Sequence, residues 1–128
     1  MDRRLVLVVD DDHGTRTTMQ DLLSDEGYEV LTAGNAQQAL KLAAARVPDI
    51  VLTDLEMAGG DGISLIHHLR DRGHHDLPIV VLTSKRVADS VEEARRLGVH
   101  AYLYKPVDVD HLMGHMANVL AGEHDEER

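Results

Sequence analysis

A chain of 128 residues supplies one domain with its own hydrophobic core and no second one. With 23 acidic and 13 basic residues, a formal net charge of -10 repels nucleic-acid backbones and points instead to basic protein surfaces as partners. The absence of cysteine excludes disulfides, thiol catalysis and Cys-based zinc sites, and the absence of Trp and Phe leaves Val, Leu, Ile, Ala and Met to build the core.

The first apolar run begins at Leu5 and meets Asp10 after five residues, too short for a signal sequence, so Leu5 to Asp10 reads as a strand. Met19, Leu22 and Leu23 then form a helical stripe that stops near Gly27, with Asp12 as a plausible cap. Glu29 to Ala33 is the second strand. Ala36, Ala39, Leu40 and Ala43 follow as a second helix, with Asn35 placed as N-cap, Gln38 three residues on and Pro48 beyond its end.

Ile50 to Asp54 is the third strand, and Leu65, Ile66 and Leu69 mark a third helix ending near Gly73. Ile79 to Thr83 is the fourth strand; Val87, Val91 and Ala94 define a helix ending at Gly98. His100 to Tyr104 is the last strand, and Asp108 caps a helix built on Val109, Leu112, Met113 and Met116. Four of the five strands lack a polar face, as a sheet covered on both sides requires. Five strand and helix pairs in alternation therefore predict an α/β three-layer sandwich around a parallel sheet. No apolar stretch approaches the roughly 20 residues that cross a bilayer, so membrane insertion is not expected and a cytoplasmic location is.

In such sheets, ligands bind beyond the carboxyl ends of the strands. Those ends carry Asp10-Asp11-Asp12, Asp54, Thr83-Ser84 and Lys105-Pro106. Carboxylates brought together from two strands resist joint ionisation unless a cation joins them. An oxygen-only ligand set suits magnesium or manganese. Asp54 can then serve as a carboxylate nucleophile toward phosphorus, Lys105 can neutralise phosphoryl oxygens, and the Thr83 hydroxyl can donate to one.

These residues resemble the receiver domains of bacterial response regulators. The likeness runs from Leu5 to about Leu120 through Val8-Val9-Asp10-Asp11-Asp12, Asp49 to Met57, Asp61-Gly62, Leu82-Thr83-Ser84 and Lys105-Pro106. It implies a flavodoxin-like fold with strand order 2-1-3-4-5 and Asp54 as the phosphoacceptor. It implies metal binding through Asp11, Asp54 and the Glu56 carbonyl, with Asp10 holding a metal-bound water. A cis peptide before Pro106 belongs to the same pattern. Thr83 and Tyr102 would form a switch that remodels the face made by helix four, strand five and helix five. The implied partners are a histidine kinase or histidine phosphotransfer protein upstream and a downstream protein or output domain, with a homodimer left open. The expected division is a receiver unit over 1–121 and a charged tail over 122–128.

One loop departs from the family. Most members have proline after the motif that ends here at Met57, whereas Ala58-Gly59-Gly60 follows, so metal affinity is the property in question. Glu56 lies two residues after the acceptor and Lys85 two after Thr83; an ion pair between them would obstruct attacking water and prolong an acyl phosphate. Among the nine histidines, His111 and His115 are spaced i, i+4, but without a third ligand in a motif they read as a solvated face. Asp10-x-Asp12 also matches phosphatases of the haloacid dehalogenase type, but these need Thr or Val where Gly14 stands, and usually a cap domain. A flavodoxin-like nucleotide binder needs a Ser/Thr/Gly-rich phosphate loop in place of the acidic triplet. The remaining alternative is a receiver that acts independently of phosphate.

Overall fold

A computed structural model describes residues 3–57, 61–83 and 88–122. Ten elements alternate: β1 (Leu5–Val9), α1 (His13–Asp25), β2 (Glu29–Ala33), α2 (Ala36–Ala45), β3 (Ile50–Asp54), α3 (Asp61–Asp71), β4 (Ile79–Thr83), α4 (Ala88–Arg96), β5 (Ala101–Tyr104) and α5 (Val109–Leu120). The strands form one parallel sheet in the order β2-β1-β3-β4-β5. Fold class and strand order are as expected from the sequence. Val87, Ser84, Lys85, the Ala58-Gly59-Gly60 loop and the tail beyond Gly122 lie outside the described residues.

The elements end where their chemistry dictates. Asp12, Asn35 and Asp108 each adopt extended backbone and accept from the amide three residues on, at Thr15, Gln38 and His111. Gln38 in turn accepts from the Gly34 amide at 2.8 Å, one residue before the cap, which fixes the entry of the chain into α2. Gly73 and Gly98, with φ of 96° and 78°, supply the left-handed turns after α3 and α4. The outermost residues of two expected strands fall just outside the regular ladder, although the Asp10 amide still bonds Ala33 and the His100 amide bonds Ile79.

Alternate residues of each strand feed two separate cores, as the period of two requires. Leu7, Val9, Val51, Ile79 and Val81 pack beneath α2, α3 and α4 with Leu40, Leu65, Ile66 and Leu69. Val6, Val8, Ile50, Leu52, Val80 and Leu103 pack against Met19 and Leu23 of α1 and Leu112 and Met116 of α5. The central strands β1, β3 and β4 are buried along their whole length, whereas β2 at one edge is only half-buried. Central strands sandwiched in this way hold their carboxyl ends in fixed register, which positions the site.

Far from those ends, Arg70 of α3 is buried and donates to four backbone carbonyls: His74, Leu77, Leu97 and Gly98, at 2.6 to 3.0 Å. Burial pushes its guanidinium below the usual arginine value, and Asp76 partly opposes this.

Candidate functional site

Register alone brings the acids together. Val9 pairs with Thr53, so the next residues, Asp10 and Asp54, emerge side by side from adjacent parallel strands. Both side chains are buried, and Asp11 beside them is exposed. One ligand oxygen from each of Asp10, Asp11 and Asp54 lies within 4.8 Å of the others, so the three carboxylates can share a cation. The donor set is all oxygen, which fits a hard divalent ion.

Each buried acid is oriented by the chain that follows it. Asp10 Oδ1 accepts from the Asp12 amide at 2.9 Å, and Asp54 Oδ1 accepts from the Glu56 amide at 2.8 Å. Their Oδ2 atoms both face Lys105, whose Nζ stands 2.9 Å from Asp54 and 3.4 Å from Asp10. Partial burial alone would lower the lysine pKa. The hydrogen bond and charge of Asp54, with the charge of Asp10, outweigh that and hold it above the ordinary lysine value.

Lys105 is held in turn by its backbone. Its amide donates to the Thr83 carbonyl at 2.7 Å, and the peptide to Pro106 is cis. Thr83 itself is fully buried at the end of β4, one residue past Leu82, the register partner of Asp54. Asp12, in contrast, turns away to cap α1. The Thr15 hydroxyl at 2.7 Å and the Thr15 amide at 2.8 Å keep its carboxyl below the usual aspartate value.

Asp10, Asp11, Asp54 and Lys105 thus form one cluster, with the Glu56 amide bonded to Asp54 and Thr83 adjacent in the sheet. Tyr102 stands apart, on β5 within the core under α3 and α4. Its ring is buried, Arg95 of α4 donates to its hydroxyl, and the Arg95 guanidinium carbon lies 5.2 Å from the ring centroid. Lys85 lies outside the described residues, and with it the suggested pair to Glu56. The reading of His115 as solvated is corrected: it is buried, because the inward stripe of α5 runs through Leu112, His115, Met116 and Val119.

Three supporting residues escaped the sequence reading. Arg16 of α1 donates to the Asp10 carbonyl at 2.7 Å, although on a polar helix face it is indistinguishable from a solvated arginine. Arg95 is equally silent until α4 is laid over β5. Gly62, present in the motif without a role, lies where α3 crosses the end of β3: a Cβ there would stand 2.3 Å from the Asp54 carbonyl oxygen and 2.6 Å from Leu55 Cα. Only glycine permits that approach.

Comparison with known proteins agrees with this geometry. The family model described as the response regulator receiver domain matches residues 6–117. Sporulation initiation phosphotransferase F of Bacillus subtilis is 30% identical over 107 residues, covering 84% of this chain and 86% of that protein. The DNA-binding transcriptional regulator NtrC of Escherichia coli K12 is 34% identical over 110 residues, but the chain spans only 23% of its length. The chemotaxis response regulator CheY4 of Vibrio cholerae superposes with a TM-score of 0.84 at 28% identity, covering 92% of this chain and 99% of that one. With its matching motifs at the ends of its strands, the chain belongs to the receiver-domain family of the response regulators of two-component systems.

Proposed function

We propose that Asp54 accepts a phosphoryl group from a phosphohistidine of a histidine kinase or histidine phosphotransfer protein. The observation that carries this reading is the placement of the Lys105 ammonium across the Oδ2 atoms of Asp54 and Asp10, with Asp11 within reach of the same point. A nucleophilic carboxylate, a fixed positive charge and a cation-binding acid set are what phosphoryl transfer asks of a protein.

Magnesium or manganese would be held by Asp11, Asp54 and the Glu56 carbonyl, with Asp10 bonding its water. When bound, the ion neutralises charge on the phosphoryl oxygens. The remaining work falls to the chain. Asp54 Oδ1 is bonded to the Glu56 amide, which fixes the carboxylate plane. The other oxygen attacks phosphorus as the bond from phosphorus to the donor imidazole breaks, giving an acyl phosphate on Asp54 and a neutral histidine. Lys105 follows the charge from carboxylate to phosphoryl oxygens, and the Thr83 hydroxyl donates to one of them. Water attack on phosphorus later returns inorganic phosphate and free Asp54. An ion pair between Glu56 and Lys85, as the sequence suggests, would slow this step by obstructing the water. No external substrate is turned over, so the role is regulatory.

Movement of Thr83 toward the phosphoryl group would be read by Tyr102 and would remodel the face formed by α4, β5 and α5, toward a downstream protein or an output domain. The receiver unit is assigned to residues 1–121, with 122–128 as a charged tail, in the cytoplasm. Intact mass after incubation with acetyl phosphate and Mg2+ tests the proposal. The wild type should gain one phosphoryl group and Asp54→Asn none; an unmodified wild type, or an equally modified variant, rejects it.

A further inference from the structure

We propose that α5 carries a second metal site, for a divalent transition ion such as Zn2+, formed by His111 and His115. Spacing of i, i+4 puts both imidazoles on one helix face, and their ring centroids lie 4.8 Å apart. Such a pair on a helix is a recognised way to present two nitrogen ligands to zinc. His115 is buried, so its ring is already ordered before an ion arrives, while His111 is exposed and open to solvent. The adjacent pair His67-His68 lacks this arrangement, because successive residues on a helix do not face each other, and His74-His75 lie in the connection after α3.

The surroundings add an independent observation. Both histidines line a depression of about 280 Å³ with Asp110, Gly114 and Asn118. Gly114 lies inside α5, where glycine weakens a helix relative to alanine. Neither conformation nor packing calls for it: its φ is not among the positive ones, and a Cβ placed there would meet nothing within 4 Å. Its effect is to keep the depression open beside the two rings. Asp110 adds negative charge at the rim, and Asp108 caps the same first turn through the His111 amide. These acids offset the positive end of the helix dipole, which would otherwise repel a cation.

Nitrogen ligands also separate this site from the carboxylate cluster. Imidazole suits zinc, copper and nickel, whereas carboxylates suit magnesium and manganese. With two protein ligands, the remaining positions are left to water or to a donor from a docking partner, and α5 belongs to the face proposed to bind one.

Calorimetric titration of Zn2+ into the untagged chain in saturating Mg2+ tests the site. The wild type should bind one Zn2+, and so should Asp11→Ala. His111→Ala should weaken binding about tenfold or more, since even changes to groups that only orient a ligand cost on the order of 10–100-fold in metal affinity. Gly114→Leu, which keeps both rings but fills the depression, should also weaken it. The proposal is overturned if the wild type binds no Zn2+, if Asp11→Ala abolishes binding, or if binding survives undiminished in both α5 variants. Should His111→Ala fail to fold, broadening of the His111 and His115 ring resonances by Cu2+ in the wild type decides the matter, and unchanged resonances reject the site.

Discussion

Lys105 meets two carboxylates at once, so it offsets part of the cluster's negative charge and would compete with a divalent ion for it. The two roles separate on mutation. Lys105→Ala is expected to bind Mg2+ at least as tightly as the wild type, because a competing positive charge is gone. Phosphoryl acceptance should nevertheless fall on the order of a hundredfold, the usual loss when one charge-stabilising donor is removed. Metal titration alongside the rate of acetyl phosphate labelling checks both halves, and parallel loss of both would contradict this division. At this scale the acids, the lysine and the helix caps were legible in the sequence because each sits at a boundary between a strand or helix and a loop. Arg16 and Arg95 were not, because the reach of a long side chain depends on which element lies opposite.

Between residue and fold, α3 presses on the end of β3 at Gly62. Gly62→Ala would force a Cβ into the Asp54 carbonyl, at an expected cost of about 1–3 kcal/mol for overpacking. Because the displaced backbone carries Asp54, labelling by acetyl phosphate should slow as well, although no reacting group has changed. Urea denaturation and the labelling rate together test this. A second link joins α2 to β2, where Arg46 makes a two-pronged ion pair with Glu29 at 2.5 and 2.7 Å. The hydrogen bond from Arg46, then its charge, hold the Glu29 carboxyl below its usual 4.5. A depressed carboxylate contributes stability above its unfolded value and loses it as pH falls through the folded one. Glu29→Gln should therefore lower the thermal midpoint slightly at pH 7, and the gap should close on acidification below 4.5. A gap that persists at pH 2 would refute the assignment. The effect is small because both groups are exposed.

For the whole molecule, the dominant electrostatic fact is a net charge of -10, with part of it concentrated in one pocket. A ligand that binds only the folded state stabilises it by mass action, about 2.7 kcal/mol at a concentration roughly a hundred times its Kd. Mg2+ should accordingly raise Tm by several degrees beyond the effect of matched ionic strength, and Asp11→Ala should remove that increment. Equal shifts in both proteins would show only screening. Layer assignment and the buried character of β1, β3 and β4 were readable from runs of Val, Ile and Leu, whereas the sheet order followed only from the family resemblance, because apolar runs do not say which strands are neighbours. Burial of His115 was not, since a histidine within an apolar stripe looks polar until the helix is docked.

The Arg70 guanidinium has a mechanical meaning. It ties His74 and Leu77, just before β4, to Leu97 and Gly98, just after α4, so both ends of that segment are pinned at the pole opposite the acids. If Asp54 is phosphorylated as proposed, a displacement that begins at Thr83 would swing the segment about this fulcrum instead of sliding it bodily, and a small shift beside the site would become a tilt of α4.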